Sequence, residues 1–416
     1  SADPSRVVMR PFHIAPEPRD RHAPQVARMK RIVHAVLAMS EDECTAELAE
    51  VNQDFKDRHW QAAEVYLSRF KHVADDLGLQ QEPLSMCRRE LIGAYFCHEY
   101  SYAAAAIMNP SVVPHPDQSG LRFGDQRFLM SLRTVGEGHI SSVSFREGIL
   151  HGDGKMTLWP QAGPTIAAEA QQPMTESRVE AKRPASVNIS GMVIFPFTAA
   201  QRNGLEDLRL LKFEDDDKGA IYYGTYTAYS GMGIGSELMT TRDFSSFTLE
   251  PMQGSAARNK GMGLFPRRIN GRYAVIGRQD GESLYYLESD DLLHWDGGEL
   301  LMQPQFPWEL VQIGNCGAPI ELDEGWLVLT HGVGAMRKYS IGAVLLNKKN
   351  PRKVIGRTRL PILEPSLLNR DGYVPNVVYT CGGLKHGDKL FMPYGVADSA
   401  VSFALIDIRW LLGEMR

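Results

Sequence analysis

Two carboxylates stand side by side at Glu206 and Asp207, with Arg209 two residues on, in the otherwise apolar stretch Gly204-Leu-Glu-Asp-Leu-Arg209. A pair of carboxyl groups suits cleavage of a glycosidic bond. One protonates the leaving oxygen, and the second activates water unless an external anion such as phosphate makes the attack. In an extended segment neighbouring side chains point to opposite faces, so only one of Glu206 and Asp207 is expected to reach a common site. Alone, the hexapeptide reads more simply as a surface salt-bridge cluster. Its weight depends on the elements that carry it.

Those elements change character along the chain. Apolar positions in Val26 to Leu37, Cys44 to Phe55, Trp60 to Leu77 and Leu84 to Met108 recur at helical spacing, and Ser40 with Glu43 forms a capping box. Asn109-Pro110 ends the helical pattern, and short β-rich runs between Gly, Asp and Asn turns follow. One signature recurs there: a glycine turn, an apolar strand, then a polar residue. It spans Gly124–Arg133, Lys218–Tyr226, Asn270–Arg278, Glu324–His331 and His386–Tyr394. Gly219, Gly271, Gly325 and Gly387 are 52, 54 and 62 residues apart, and the echo of Asp243 in Asp291 comes 48 residues later. Strand repeats of about 50 residues predict propeller blades. The fold expected is an all-β five-bladed β-propeller over residues 109–416, with an α-helical N-terminal extension over 1–108.

If the repeated strand takes the same place in every blade, its polar ends converge. Arg133, Tyr226, Arg278, His331 and Tyr394 are then expected in one funnel, a richer set than a purely structural propeller needs.

Composition narrows the rest. At 416 residues with 43% hydrophobic and 23% charged residues, the chain has a globular make-up. Its net charge of −5 gives no electrostatic case for nucleic acid or an anionic membrane, and no apolar run is long enough to span a bilayer. Ser1 to Arg10 lacks a signal-peptide core, and the five scattered cysteines contain no C-x-x-C pair; a cytoplasmic protein with reduced thiols is expected. Cys97-His-Glu-Tyr100 lacks a second ligand pair, so no metal is expected. Ser230–Ser236 is glycine-rich without a G-K-[ST] ending and reads as a loop between strands. Glu214–Asp217 reads as a hairpin turn and Lys348–Lys353 as a solvated loop.

With these features in place, the chain from Asn109 onward resembles glycoside hydrolase family 130, the β-mannoside phosphorylases and β-mannosidases. The resemblance is carried by Asn109-Pro110, Gly204–Arg209, Leu264–Tyr273, Ile313–Ile320, Gly325–Val333, Tyr339–Leu346, Val374–Val378 and Tyr394–Asp398. It implies a five-bladed propeller in which Asp207 is the proton donor and Asn109 and Asp398 hold the non-reducing-end mannose. Arg133, Arg278 and His331 match the basic cluster that binds phosphate. Two positions depart from the family pattern: Lys260 stands for an arginine, and Gln312 for a lysine. Losing a full charge weakens a site for a dianion, because charge-assisted bonds are roughly twice as strong as neutral ones. In the family, erosion of this cluster accompanies hydrolysis assisted by two glutamates, and the candidates here are Glu206, Glu309 and Glu137.

The leading expectation is therefore an exo-acting, inverting hydrolase releasing β-linked, β-1,2 mannose from a small mannoside. Asp207, Glu206 and Glu309 would do the chemistry. Asn109, Arg209, Trp308, Tyr394 and Asp398 would bind sugar, with Arg133, Lys260, Arg278, Gln312 and His331 around the water or phosphate. The alternative is a phosphorylase with inorganic phosphate as co-substrate, making mannose 1-phosphate; a sugar-binding propeller without catalysis is the third reading. No further cofactor is expected, and a homo-oligomer stays open.

Overall fold

The computed structural model describes the chain except residues 13–24, 56, 80–82, 162, 172–176, 216–218, 368–369 and 416. It divides into two compact units. One comprises Ser5–Ser101 with Pro164–Ala167; the other comprises Ser1–Pro4, Tyr102–Gly163 and Ala168–Arg416.

Among its described residues the smaller unit holds four helices: α1 (Gln25–Ala38), α2 (Glu41–Phe55), α3 (Ala62–Leu77) and α4 (Met86–Tyr95). The capping box at the head of α2 is reciprocal. The Glu43 amide donates to Ser40 Oγ at 3.2 Å, and the Ser40 amide donates to Glu43 Oε2 at 2.7 Å. Val33, Val36, Cys44, Phe70, Val73, Leu91 and Phe96 form the core of this unit. All five cysteines are free thiols, and Cys44 Sγ meets Cys87 Sγ at 2.8 Å.

The last predicted helix is too long. It stops at Tyr95, and Cys97–Ser101 is a strand paired antiparallel with Val7–Pro11. Ala106–Pro114 is also a strand, buried along nearly its whole length. A continuous apolar run does not distinguish a buried strand from a buried helix by period, and here packing overrides the helical propensity of alanine. Glu99, on that first strand, pairs with Arg58 and His59 at 2.7 Å each.

Among its described residues the larger unit is all-β apart from Ile408–Gly413 and short 3₁₀ turns. Each signature run forms a strand with antiparallel neighbours on both sides. Gln126–Val135 lies between Ala106–Pro114 and Ser141–Leu150. Gly219–Tyr229 lies between Gly204–Asp215 and Ile234–Thr241, and Tyr273–Gly277 between Gly263–Leu264 and Leu284–Ser289. Trp326–Val333 lies between Gln312–Asn315 and Tyr339–Leu346, and Lys389–Val396 between Val378–Tyr379 and Ala400–Asp407. The first two groups join through the parallel pair Gly204–Ser141. Trp295 and Trp326 are fully buried between sheets, Trp326 edge-on to Phe265 with ring centroids 5.0 Å apart.

Ser230–Gly233 lies in the loop joining two of these strands, whereas of the acidic run only Glu214 and Asp215 are among the described residues. Among the described residues no helix is long and apolar enough to cross a membrane.

Candidate active site

A cavity of about 170 Å³ opens in the larger unit, and its chemistry begins at an irregularity. The pairing of Gly204–Asp215 with Gly219–Tyr229 slips between Glu206 and Arg209, and Asp207 takes a left-handed φ of 57°. A bulge re-aims the side chains it carries. Of the two neighbours only Asp207 lines the cavity, as expected, but they do not diverge: both carboxylates meet the same guanidinium. Arg133 donates through NH2 to Glu206 Oε1 at 2.7 Å and through NH1 to Asp207 Oδ1 at 3.0 Å. Glu206 Oε2 also accepts from Lys260 Nζ at 2.6 Å, which holds Lys260 beside the cavity.

Asp207 accepts a further bond from Asn109 Nδ2 at 2.5 Å. Asn109 sits on a matching slip between Met108 and Ser111, with φ of 50°. Its Oδ1 is buried without a partner among the described residues, an acceptor that costs free energy until something donates to it. Burial pushes the Asp207 carboxyl up. Arg133, Arg209, Lys260 and the Asn109 bond outweigh that and hold it well below the usual carboxylate range.

Asp398 lies on the same cavity and behaves in the opposite way. Burial pushes its carboxyl up to about 6, the Asp207 charge adds to the rise, and Arg133 and Arg337 oppose it. Arg209 is anchored by donating to the Asp207 carbonyl and to the Tyr379 hydroxyl, both at 2.8 Å.

Arg278, His331 and Gln312 also line the cavity, and of these only Arg278 is cationic. Burial, reinforced by Arg278 and Arg209, pushes the His331 imidazole well below its usual value. The neutral ring accepts at Nε2 from Arg278 NH1 at 3.3 Å, which assigns its proton to Nδ1. Gly314 makes room for this pair: a Cβ there would stand 2.3 Å from His331 Cε1 and 3.2 Å from Arg278 NH1. Arg278 has no carboxylate within salt-bridge distance among the described residues.

The cavity therefore gathers Asn109, Arg133, Asp207, Arg209, Lys260, Arg278, Gln312, His331 and Asp398 from the sequence-based set, with Glu206 bonded to its wall. Other candidates stand elsewhere. Tyr226 falls on the core face of its strand, where it donates to Glu237 and accepts from Gln201 Nε2 at 3.2 Å. A strand end read one residue out of phase faces the opposite side of the sheet. Tyr394 packs on the apolar cluster around Leu390 and Met392. Trp308 closes over the backbone of Gly332 and Gly342 and donates to the Arg359 carbonyl at 3.1 Å. Glu309 is fully buried, bonded to Arg357 and to the amides of Gln305 and Phe306, and does not line the cavity. Glu137 lies in an exposed turn outside it.

Five lining residues were not among the expected site residues: Tyr339, Val374 and Val377 lie inside motifs that carried the resemblance, whereas Tyr379 and Arg337 lie outside them. Tyr379 follows the Val374–Val378 motif, and Arg337 arrives on a turn whose only local signal is Gly334.

Comparison with known proteins bears on what this constellation is for. The family model for glycoside hydrolase family 130, described as beta-1,4-mannooligosaccharide phosphorylase, matches residues 186–416. A beta-1,2-mannobiose phosphorylase of Listeria innocua is 33% identical over 231 residues, covering 53% of this chain and 63% of that protein. A 1,2-beta-oligomannan phosphorylase of Thermoanaerobacter is 32% identical over 217 residues, 51% of this chain and 71% of that one. The chain thus spans less than two thirds of the Listeria relative's length.

Among solved structures, the Listeria beta-1,2-mannobiose phosphorylase in complex with beta-1,2-mannobiose shares the fold, with a TM-score of 0.53 and 23% identity over 76% of this chain and 93% of that one. A Bacteroides ovatus glycosyl hydrolase shares it with a TM-score of 0.55 and 16% identity, over 75% and 87% of the two chains. The expectation of hydrolysis, drawn from Gln312, is corrected by these relatives: those matched in sequence are named phosphorylases.

Proposed function

We propose that this chain, which belongs to glycoside hydrolase family 130, is an inverting β-mannoside phosphorylase acting on a small β-1,2-linked mannoside. The observation that carries the reading is Arg278, a cavity guanidinium without a carboxylate partner among the described residues, set against a neutral His331. An anion fits that place better than water. The names of the relatives support both phosphorolysis and the β-1,2 linkage. The five groups of antiparallel strands, the first two joined in one sheet, support a five-bladed propeller, and the helices within Ser5–Ser101 are read as an extension of it.

In this reading Asn109 and Asp398 hold the terminal mannose and Asp207 supplies the leaving group's proton. A phosphate oxygen attacks the anomeric carbon from the opposite face as the C1–O bond breaks. The departing oxygen takes the proton, and mannose 1-phosphate and a shortened sugar leave. Phosphate is the co-substrate, and no protein base is needed. The test is incubation of β-1,2-mannobiose with and without phosphate. Mannose 1-phosphate formed only when phosphate is present is the expected result, and release of free mannose without phosphate would overturn the reading.

A further inference from the structure

The charges around the cavity do not cancel. Arg133, Arg209, Lys260, Arg278 and Arg337 are cationic, while Glu206, Asp207 and Asp398 are the carboxylates among them and His331 is neutral. Five against three leaves two positive charges, the complement of one phosphate dianion. Arg133 and Lys260 are tied to Glu206 and Asp207, and Arg209 to Tyr379 and a backbone carbonyl. Arg278 and Arg337 form no ion pair among the described residues and are not anchored in this way, although the Arg337 charge acts on Asp398.

Arg337 is also held at a cost. It and Met336 both have left-handed φ values, 55° and 56°, without being glycine. Two such residues in succession persist only where the surroundings impose them, and strain of this kind concentrates at ligand sites. The turn is closed by the Gly334 amide donating to the Lys338 carbonyl at 3.0 Å, and Lys338 is pinned to Glu364 at 2.6 Å. That directs Arg337 over the Tyr339 ring, 5.9 Å from its centroid, while Tyr339 stacks on His331. Arg337 is exposed, lines the cavity and has no carboxylate within 4 Å among the described residues.

We infer that Arg337 is the mouth-side ligand of the anionic co-substrate, holding phosphate together with Arg278. The inference rests on the phosphorylase reading for its setting and goes beyond it in assigning the residue. Its test is Arg337→Gln, with Arg337→Lys as the conservative control, read by steady-state kinetics and by calorimetric titration of inorganic phosphate alone. Arg337→Gln should raise the KM for phosphate by about tenfold or more, the loss of one charge-assisted bond, and leave the KM for mannobiose within about twofold. Arg337→Lys should recover part of the phosphate affinity, and titration should show the same ranking. If wild type phosphorolyses mannobiose and Arg337→Gln leaves the phosphate KM unchanged, the inference fails and the functional reading stands. If wild type makes no mannose 1-phosphate yet binds phosphate through Arg337, the functional reading fails and the inference stands. A rise in the mannobiose KM alone would make Arg337 a sugar contact and overturn it.

Discussion

Replacing Glu206 with glutamine separates a charge-tuning role from a proton-transfer role. Glu206 is 7% exposed and bridges Arg133 at 2.7 Å and Lys260 at 2.6 Å. In a phosphorylase it handles no proton; it positions two cations and repels the anion they would otherwise attract. An anion touching Lys260 from the far side would stand about 5–6 Å from the Glu206 carboxylate. At an effective dielectric constant of about 20 that repulsion is roughly 3 kcal/mol per unit charge. Salt and rearrangement of the partly exposed lysine reduce the realised gain to about 1–2 kcal/mol, or roughly 5–30-fold tighter phosphate binding. Glutamine keeps an oxygen for one cation, and Arg133 keeps Asp207, so the site should stay assembled. The assay is steady-state phosphorolysis of β-1,2-mannobiose with phosphate varied, alongside calorimetric titration of phosphate. A lower phosphate KM with kcat within about threefold is expected. A loss of kcat of about 100-fold or more at saturating phosphate, with phosphate affinity unchanged, would refute the reasoning and place Glu206 in the proton path.

Asp207→Asn removes the acid and one negative charge together, so turnover should fall by about 10³-fold or more while phosphate binds more tightly; the same kinetics and titration check both halves. Asp398, with its carboxyl pushed up to about 6, should impose an acid limb on kcat/KM for the mannoside, because protonation removes the acceptor that would hold a sugar hydroxyl. Since its folded-state pKa lies above the ordinary 3.8, ionisation opposes folding above about pH 6 and has no effect well below pH 4. Asp398→Asn should therefore abolish the acid limb and, in urea unfolding, gain more stability at pH 8 than at pH 3. Glu309→Ala leaves Arg357 without its buried counter-ion and should destabilise by about 3–5 kcal/mol in urea unfolding, with both KM values unchanged.

What the sequence discloses is what local rules govern. Glycine turns and period-two runs are local, so the five signature strands were legible, and so were Arg133, Arg278 and His331 at their ends. The same reading misplaced Tyr226, because one residue of phase decides which face a strand side chain takes. It misread Leu84–Met108 because an alanine-rich run carries no period that separates buried strand from helix. The bulges at Met108–Ser111 and Glu206–Arg209 are products of pairing between strands, so nothing in either segment alone predicted that both acidic neighbours would reach Arg133. Glu309 looked catalytic by type and neighbourhood, but only tertiary packing shows that it serves Arg357. Arg337 is invisible for a related reason: its approach depends on two strained backbone angles.

The depressed pKa of Asp207 and its proposed role as proton donor are reconciled by the same charge balance. Alone in the cavity, Asp207 is kept ionised by Arg133, Arg209 and Lys260, and an ionised carboxylate has no proton to give. A phosphate dianion among those cations offsets the field that holds Asp207 down, and its negative charge raises the carboxyl's affinity for a proton. Phosphate would then do two things: attack the anomeric carbon and allow Asp207 to be protonated. Water does only the first, because a neutral molecule leaves the cations uncompensated. Gln312 bears on the same balance. With lysine there the cavity would hold three net positive charges, and one dianion would leave Asp207 still under excess positive charge. With glutamine the dianion cancels the surplus. On this argument the absence of a lysine at position 312 is compatible with phosphorolysis, and it makes the protonation of Asp207 depend more closely on phosphate.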